Sequence, residues 1–288
     1  MAGKLLITGA AGQLGQALIQ EATRQGWEVV ATDLPELNIT DPQSVQGELT
    51  RQRPEVVINA AAATRVDELE SDPDGALRVN AMGPRNLAVA CRRLGVKLIH
   101  LSTDYVFDGT KPGPYVEWDA TRPLSVYGRS KLLGEEWVRQ QCTDHFIVRT
   151  AWLYGVPGPN FVSAILARGR HLAPDGELQV VHDQRGTPTS TLALAPQLLG
   201  LAATEAFGTY HATCQGETTW YEFAGVILAA AGIEVRVSPC TTAEFPRPAP
   251  RPANSVLENR LLRVAGLDRM PAWQDAYQQF WEACGDRL

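Results

Sequence analysis

Three glycines close to the N-terminus constrain this chain more than any other feature. Gly9, Gly12 and Gly15, in the segment LLITGAAGQLG, follow a short apolar run and lie at the start of a segment with helical periodicity, QLGQALIQEATRQG. Glycine at such positions allows a tight turn and a close approach of the backbone to a pyrophosphate, at a helix N-terminus whose first N–H groups are free. The segment therefore predicts a strand, a phosphate-binding loop and a helix, which is the start of a dinucleotide-binding unit.

The rest of the first half repeats this alternation of strand and helix. Short apolar runs such as WEVVATD, EVVINAAA and VKLIHLST alternate with amphipathic segments such as PQSVQGELTRQR. Near-continuous apolar strands separated by helices are typical of βαβ units around a buried parallel sheet. Asp41–Pro42 and Asp72–Pro73 predict helix starts, and Gly26 and Gly95 predict helix ends. The pattern indicates an α/β, doubly wound (Rossmann) fold.

The alternation of predicted strands and helices becomes less regular after the segment FIVRTAWLYG. Pro157 and Pro159 interrupt the pattern, and GRHLAPDGELQVVHDQRGTPT is rich in turn residues. We expect an NAD(P)-binding domain over residues 1–150 and a smaller, mixed substrate domain over residues 151–288, with some exchange of chain between them. The stretch PRPAPRP, residues 246–252, is either a rigid loop on the protein's own surface or a polyproline ligand for a partner, and the first alternative is favoured.

Composition argues against several classes of protein. The 288 residues are 44% hydrophobic, enough for a large core, and a net charge of −6 without clustered Lys and Arg argues against nucleic acid as a partner. No apolar run approaches the ~18–20 residues of a membrane helix, and the N-terminal residues lack the apolar region of a signal peptide, so we expect a cytoplasmic protein. The five cysteines and five histidines are dispersed, which predicts free thiols and no metal cluster.

A second group of candidate functional residues lies in the stretch LSTDYVFDGTKPGPYVEWDATRPLSVYGRSK. Tyr127 and Lys131 are four residues apart and share a face of a predicted helix, and Thr103 follows a strand at the sheet edge where α/β folds bind ligands. A tyrosine can donate a proton near neutral pH when an adjacent ammonium and a nicotinamide cation lower the pKa of its phenol. We predict that Thr103 hydrogen-bonds a substrate carbonyl, that reduced nicotinamide delivers hydride to its carbon, and that Tyr127 protonates its oxygen.

The glycine loop and the pair of Tyr127 and Lys131 each also have a purely structural explanation. The glycines could form a tight turn with Asp33 capping a loop, and Tyr127 and Lys131 could be an ordinary surface pair. Asp33 closes the strand VVATD, where a carboxylate would meet the adenosine ribose and repel the 2′-phosphate of NADP, which favours NADH. An arginine brought close by folding, such as Arg65, would offset that preference.

Several motifs together resemble a known family. ITGAAGQLG, VVINAAA, VNAMGPRNLA, LSTDYVFDG and VYGRSKLLGE, and later RTAWLYG, VVHDQRGTPT, GTYHATCQGETTWYEFA and RPANSVL, resemble segments of the extended short-chain dehydrogenase/reductases over nearly the whole chain. The resemblance implies reduction of the C4 carbonyl of a dTDP-linked 4-dehydro-6-deoxy sugar by NADPH or NADH. Two alternatives stay open: a reductase or epimerase of another nucleotide sugar, and a cofactor-binding regulatory subunit without activity, like that of methionine adenosyltransferase.

The resemblance also implies roles for individual residues. Thr103, Tyr127 and Lys131 match the catalytic residues, with Tyr127 as the acid and Lys131 also contacting the nicotinamide ribose. The positions expected to contact the sugar nucleotide are Thr103, Asp104, Tyr127 and Trp152. The positions expected to bind the cofactor are Gly9, Gly12, Gln13, Leu14, Gly15, Asp33, Asn38, Ile39, Ala61, Ala62, Ala63, Tyr105, Tyr127 and Lys131.

The expected partners are the cofactor and a nucleotide-sugar substrate. Some members of the resembled family bind magnesium at a dimer contact, through a Glu shortly after the glycine loop. The matching position here is Ala17, so we predict no metal and no dimer of that kind. A homodimer formed through another surface stays open.

Overall fold

The structure is a computed structural model that describes residues 3–172 and 176–288. The first two residues of the predicted cofactor domain, and residues 173–175 of the turn-rich stretch, lie outside the described residues. The strands are β1 Lys4–Thr8, β2 Glu28–Thr32, β3 Val56–Asn59, β4 Lys97–Thr103, β5 His145–Thr150, β6 Leu153–Tyr154, β7 Glu177–Val181, β8 Arg185–Gly186, β9 Thr189–Ser190, β10 Gly208–His211, β11 Thr218–Thr219 and β12 Arg236–Cys240.

Helices cover both faces of the central strands. They are α1 Gln13–Arg24, α2 Pro42–Gln52, α3 Val66–Leu69, α4 Pro73–Leu77, α5 Gly83–Leu94, α6 Val126–Gln141, α7 Phe161–His171, α8 Thr191–Ala202, α9 Trp220–Ala230, α10 Arg260–Val264 and α11 Trp273–Cys284. A π-helical turn, Arg78–Met82, joins α4 to α5, and single 3₁₀ turns cover Asp104–Val106 and Gly285–Arg287.

Six strands form a parallel sheet in the order β10–β5–β4–β3–β1–β2. Strand β1 pairs with β2 on one side and with β3 on the other, so the order reverses at β1. Open α/β sheets bind ligands in the crevice outside the carboxyl ends of the strands at such a reversal. The predicted α/β, doubly wound fold is confirmed.

The predicted helix boundaries are confirmed where a cap or a glycine marked them. The side chain of Asp41 accepts a hydrogen bond from the N–H of Gln43 at the start of α2, and Asp72 does the same for Gly75 at the start of α4. Each of these helices has a proline in its first turn, where a missing N–H costs nothing. Gly95 ends α5 with φ of 67°, in the left-handed region that glycine adopts without strain.

The second half of the chain contributes to the same sheet and core. Strand β10 pairs in parallel with β5 and forms one edge of the sheet. Helix α8 packs against α1, and one hydrophobic cluster includes Leu18 of α1, Leu198 of α8 and Phe280 of α11. The later segments also form three small two-stranded sheets, β7 with β12, β8 with β11, and β6 with β9. Residues beyond 150 therefore share the sheet and core with those before it.

The proline-rich stretch lies on the protein's own surface, against α3. Both carboxylate oxygens of Asp67 accept hydrogen bonds from Arg251, at 2.9 and 3.0 Å, and Asp67 Oδ2 also accepts one from Nε of Arg247 at 3.0 Å. The N–H of Ala249 donates to Asp67 Oδ1 at 3.2 Å. These contacts support the favoured alternative of a rigid surface loop.

All five cysteines are free, as their spacing predicted, and all five are buried. Across the described part of the chain, none of the helices combines the length and the apolar character that crossing a membrane requires.

Candidate active site

The glycine loop between β1 and α1 has the shape of a phosphate cradle. Gly9 has φ of 67°, and a Cβ there would lie 2.6 Å from the amide nitrogen of Ala61, just beyond β3. A Cβ on Gly15 would lie 2.3 Å from the carbonyl oxygen of Gly9. Helix α1 starts after Gly12, and no side chain among the described residues caps it, so its first N–H groups are available to an anion. The loop therefore fits the pyrophosphate of a dinucleotide.

Gln13, the first residue of α1, faces a loop from the second half of the chain. Its Nε2 donates a hydrogen bond to the carbonyl of Pro159 at 2.9 Å, and Asn160 Nδ2 approaches its Oε1 at 3.4 Å. Gln13 thereby attaches the start of α1 to Pro159 and Asn160. Leu14 is buried in the core, so only its main chain is available to a ligand.

Asp33 lies directly after β2, where the ribose contact was predicted. Its Oδ2 accepts a hydrogen bond from the N–H of Ala11 in the glycine loop at 3.0 Å, and its Oδ1 accepts one from the N–H of Leu34 at 3.0 Å. The carboxylate thus supports the glycine loop, at the strand end where the ribose contact was predicted. Of the two residues expected near the adenine, Asn38 is exposed, whereas Ile39 is buried and packs close to Gly83.

Ala61, Ala62 and Ala63 extend from β3 and are half-buried at the same edge of the sheet. The side chain of Asn80, in the π-helical turn, accepts a hydrogen bond from the N–H of Ala63 at 2.9 Å and donates one to its carbonyl at 3.0 Å. Asn80 also donates to Ser130 Oγ on α6 at 3.1 Å. The sequence patterns did not single out Asn80, although an asparagine inside the buried helical segment VNAMGP was a usable signal.

Helix α6 positions the predicted Tyr and Lys. Ser125 caps this helix, its Oγ accepting from the N–H of Gly128 at 3.1 Å, so that Tyr127 lies in the first turn and Lys131 one turn later on the same face. Lys131 is only 3% exposed, and its Nζ donates to the carbonyl of Leu101 on β4 at 2.5 Å. This hydrogen bond attaches the ammonium to the strand that carries Thr103.

Thr103 ends β4 and is buried beside these residues. Its Oγ1 donates to Asp104 Oδ1 at 2.9 Å and accepts from the N–H of Tyr105 at 3.2 Å. The ring of Tyr105 meets that of Tyr127 edge to face, with centroids 5.6 Å apart. The structure therefore brings together Thr103, Asp104, Tyr105 and Tyr127, at the carboxyl end of β4.

The pKa of each reactive group follows from its burial. Burial raises the pKa of Tyr127 to about 12, with the Thr103 hydroxyl acting in the opposite direction. Burial lowers the pKa of Lys131 to about 8, and the charge of Glu135 opposes this. We expect the Lys131 ammonium and a nicotinamide cation together to lower the pKa of Tyr127; among the protein groups alone burial dominates, and the ammonium is hydrogen-bonded to Leu101. The phenol therefore keeps its proton at neutral pH.

Asp104 has an oxygen that is buried without a protein partner. The residue is 2% exposed, and among the described residues nothing hydrogen-bonds its Oδ2. Burial raises the pKa of Asp104 to about 6, while the hydroxyls of Ser255 and Thr103 act in the opposite direction. A buried oxygen without a partner costs free energy unless a ligand or a water molecule supplies one, so Oδ2 is available to accept a hydrogen bond.

A buried ionic network that spacing did not predict lies one turn beyond Lys131. Glu135 is fully buried and accepts hydrogen bonds from Ser102 on β4 at 2.6 Å and from Arg149 on β5 at 2.9 and 2.8 Å. The signal in the sequence was the i, i+4 spacing that continues from Tyr127 through Lys131 to Glu135. The arginine partner could not be identified from spacing, because it lies on another strand.

Trp152 is at the same edge of the sheet. The Cα positions of Thr103 and Thr150 are paired between β4 and β5, and Trp152 follows Thr150 by two residues. Its indole is partly exposed and stacks on that of Trp220. The structure thus places all four predicted sugar-nucleotide contacts around the carboxyl ends of two adjacent strands.

A reversal of strand order at a glycine cradle, with a Tyr and a Lys on one helix beside it, defines a dinucleotide-dependent reductase of the short-chain dehydrogenase/reductase class. Comparison with known proteins specifies the family within that class. The chain belongs to the family described as RmlD substrate binding domain, which matches residues 3–285.

Individual relatives match along nearly their whole length. A dTDP-4-dehydrorhamnose reductase of Streptomyces griseus is 44% identical over 288 residues, covering 97% of this chain and 94% of the relative. The crystal structure of a dTDP-4-dehydrorhamnose reductase from Clostridium acetobutylicum superposes with a TM-score of 0.95 at 44% identity, covering 98% of this chain and 99% of that one. The same reductase from Bacillus anthracis, solved in complex with NADP, has a TM-score of 0.95 at 39% identity and covers 98% and 100%.

Proposed function

We propose that this protein reduces the C4 carbonyl of dTDP-4-dehydro-6-deoxy-L-mannose with NADPH or NADH, which yields dTDP-L-rhamnose. The main support is the convergence of Thr103, Tyr127 and Lys131 at the carboxyl end of β4, beside a glycine cradle that fits a dinucleotide. The full-length relationship to dTDP-4-dehydrorhamnose reductases supports the choice of sugar nucleotide.

Tyr127 is the proton donor in this proposal. A bound reduced nicotinamide would supply hydride to the carbonyl carbon, and the carbonyl oxygen would then develop a negative charge more basic than a phenolate. Because burial raises the pKa of Tyr127 to about 12, the phenol holds its proton until that charge develops. The hydroxyl of Thr103, which donates to Asp104 in the structure, turns to the same oxygen and stabilises its charge.

Lys131 orients the cofactor and supplies positive charge. Its ammonium has three N–H donors, of which the carbonyl of Leu101 takes one. The remaining two donors are available to the hydroxyls of the nicotinamide ribose. The hydrogen bond to Leu101 keeps the ammonium within one helical turn of Tyr127, where its charge favours the phenolate that remains after proton transfer.

Asp104 and Trp152 form the sugar contacts. The partner-free Oδ2 of Asp104 accepts a hydrogen bond from a sugar hydroxyl, which removes the cost of a buried unpaired oxygen. The indole of Trp152 provides an apolar surface for the ring carbons and the methyl group of a 6-deoxy sugar. Selection of this sugar therefore combines one polar and one apolar contact.

The experiment that tests the function is oxidation of NADPH and of NADH, followed by absorbance, with dTDP-4-dehydro-L-rhamnose generated in the same tube. We expect turnover in the wild type. Replacement Tyr127→Phe should reduce kcat by roughly 10²–10⁴-fold and leave cofactor affinity unchanged, since only the transferred proton is removed. Tyr221→Phe, which removes a phenol on α9, is the matched control and should retain activity.

The alternatives give different outcomes in the same assay. An epimerase would convert a nucleotide sugar without net consumption of reduced cofactor, which product analysis by NMR detects. A regulatory subunit would bind cofactor in calorimetry without turnover. Either result would overturn the proposal.

Cofactor preference is measured by comparing kcat/KM for the two cofactors. Asp33 favours NADH, because its carboxylate would lie close to a 2′-phosphate and repel it. Its hydrogen bond with Ala11 fixes the carboxylate in that orientation. The related Bacillus anthracis enzyme was solved with NADP, so both cofactors belong in the comparison.

A further inference from the structure

Trp152 has an unusual backbone conformation. Its φ is 46°, and among the described residues only Arg53 is another non-glycine residue with positive φ. A bulky L-residue in this region is strained and persists only where its surroundings hold it. The contacts of the Trp152 side chain therefore identify what maintains its orientation.

The indole of Trp152 stacks on that of Trp220. The ring centroids are 3.4 Å apart and the planes differ by 7°, so the two indoles are in contact over most of their area. Gly186 on β8 lies close to the same indole, where a Cβ would be 2.2 Å from Cε2 and 2.4 Å from Nε1 of Trp152. The orientation of Trp152 thus requires an aromatic ring at 220 and the absence of a side chain at 186.

Trp220 is itself held by two side chains and by its position at the start of α9. Its Nε1 donates to Oε1 of Gln184 at 3.2 Å, and the ring of Phe161 packs against it with centroids 4.4 Å apart. As the first residue of α9, it follows the Thr219 cap, whose side chain and that of Glu222 form a capping box. Trp220 can therefore serve as a fixed support.

Trp152, which stacks on this support, lies just beyond the strand that pairs with the end of β4. Trp152 follows Thr150, which pairs with Thr103 across β4 and β5, and its indole remains partly exposed. A flat apolar ring positions a sugar only if its own tilt is fixed. If nothing held the ring of Trp152, its strained backbone would relax and the tilt would change.

We propose that Trp220 is a positioning residue for the sugar-nucleotide site, which holds the indole of Trp152 in the orientation that contacts the sugar, with Gly186 providing the space. This role rests on the proposed function, because it concerns the sugar site of that reaction. In this role Trp220 acts only through Trp152, so its replacement changes sugar binding and not the transfer of hydride.

The first test compares Trp220→Leu, Trp220→Phe and the control Trp118→Phe, which alters an indole that is 65% exposed. Two stacked indoles give an exciton couplet in circular dichroism, which both replacements at 220 should abolish and the control should preserve. Trp220→Leu should raise KM for the sugar nucleotide about tenfold, with KM for the cofactor unchanged and kcat altered less than threefold. Trp220→Phe, which keeps a ring, should recover most of the loss.

A double-mutant cycle then separates positioning from a general structural effect. In a Trp152→Leu background, Trp220→Leu should have no further effect on KM for the sugar nucleotide, because Trp220 acts only through Trp152. Gly186→Ala should raise that KM in the wild type and not in the Trp152→Leu background. Additive effects in either cycle would overturn the proposed role.

Binding measurements distinguish this inference from the proposed function. In calorimetry, Trp220→Leu should weaken binding of dTDP-L-rhamnose and leave binding of dTDP unchanged, since dTDP lacks the sugar. If the wild type binds dTDP-L-rhamnose and Trp220→Leu binds it equally well, the positioning role is wrong while the function stands. If the wild type fails to bind dTDP-L-rhamnose, the proposed function fails and this role fails with it.

Discussion

The carboxylate of Glu135 and the guanidinium of Arg149 form a double hydrogen bond inside the protein, at 2.9 and 2.8 Å, with side chains that are 0% and 3% exposed. Ser102 and Arg139 donate further hydrogen bonds to the same carboxylate, each at 2.6 Å. The pair joins α6 to β5 one turn beyond Lys131. The desolvation of both charges offsets much of the attraction within such a pair, but removal of one member leaves the other charge buried and uncompensated.

Replacement Glu135→Gln should therefore destabilise the protein strongly. We expect the free energy of unfolding to fall by about 3–5 kcal/mol, because Arg149 remains buried without its counter-charge. Urea denaturation followed by circular dichroism measures the change. The neighbouring Glu136 is exposed, so Glu136→Gln should stay within about 0.5 kcal/mol of the wild type. Equal effects of the two replacements would contradict this account of the buried pair.

The activity should decline at alkaline pH because of Lys131. Burial lowers the pKa of this ammonium to about 8, so its charge is present below that pH and is lost as the pH rises through it. We expect kcat/KM for the cofactor to fall above about pH 8 at constant ionic strength. Because the charge of Glu135 raises the pKa of Lys131, the decline in Glu135→Gln should begin at a lower pH. An alkaline limb that does not move in this variant would exclude Lys131 as its origin.

Two glycines provide a matched test of the phosphate cradle. A Cβ on Gly15 would meet the carbonyl oxygens of Gly9 and Ala10 at 2.3 and 2.7 Å, so Gly15→Ala must distort the loop. We expect an affinity for NADPH and NADH at least tenfold weaker, measured by calorimetry. Gly47 lies in α2 with nothing within 4 Å of its Cβ position. Gly47→Ala should leave cofactor affinity unchanged and raise the free energy of unfolding by about 0.5–1 kcal/mol. Unchanged affinity in Gly15→Ala would remove the loop from the cofactor site.

Asp67 should control the mobility of the proline-rich stretch. Burial opposes ionisation of Asp67, but its hydrogen bonds with Arg251 and Arg247 outweigh burial and lower its pKa, so the contact persists at any pH above the ordinary range of aspartate. In Asp67→Asn we expect the amide of Ala249 to exchange with deuterium much faster, because its acceptor is weakened. The free energy of unfolding should fall by about 1–2 kcal/mol. Asp74→Asn changes an exposed carboxylate on α4 and serves as the control; equal exchange in both variants would contradict the attachment.

The features that the sequence predicted depend on residues close together in the chain. The caps at Asp41 and Asp72 can be recognised from the proline that follows each of them, and the loop at Gly9 from its flanking strand and helix. The shared face of Tyr127 and Lys131 follows from helical spacing. The fold class could be predicted for the same reason. Strand and helix periodicity is a local property, and two successive strands that are connected by a helix run parallel in the sheet.

The features that could not be predicted join distant segments. Nothing local pairs Glu135 with Arg149, or Trp152 with Trp220, because each contact requires two elements to be packed already. The pKa of Tyr127 was also inaccessible, since it depends on burial by several elements at once. The loss of regularity near residue 150 suggested a boundary there, but periodicity does not reveal that β10 returns to the first sheet.

The position of β10 has a consequence for synthesis of the protein. When residue 150 has left the ribosome, β5 is the outer strand of an incomplete sheet, and its N–H and C=O groups are free to pair with any strand nearby. They are satisfied only when residues 208–211 arrive, after residues 151–207 have been made. A fragment that ends at residue 150 should therefore aggregate, and the nascent chain needs protection of this edge until β10 emerges.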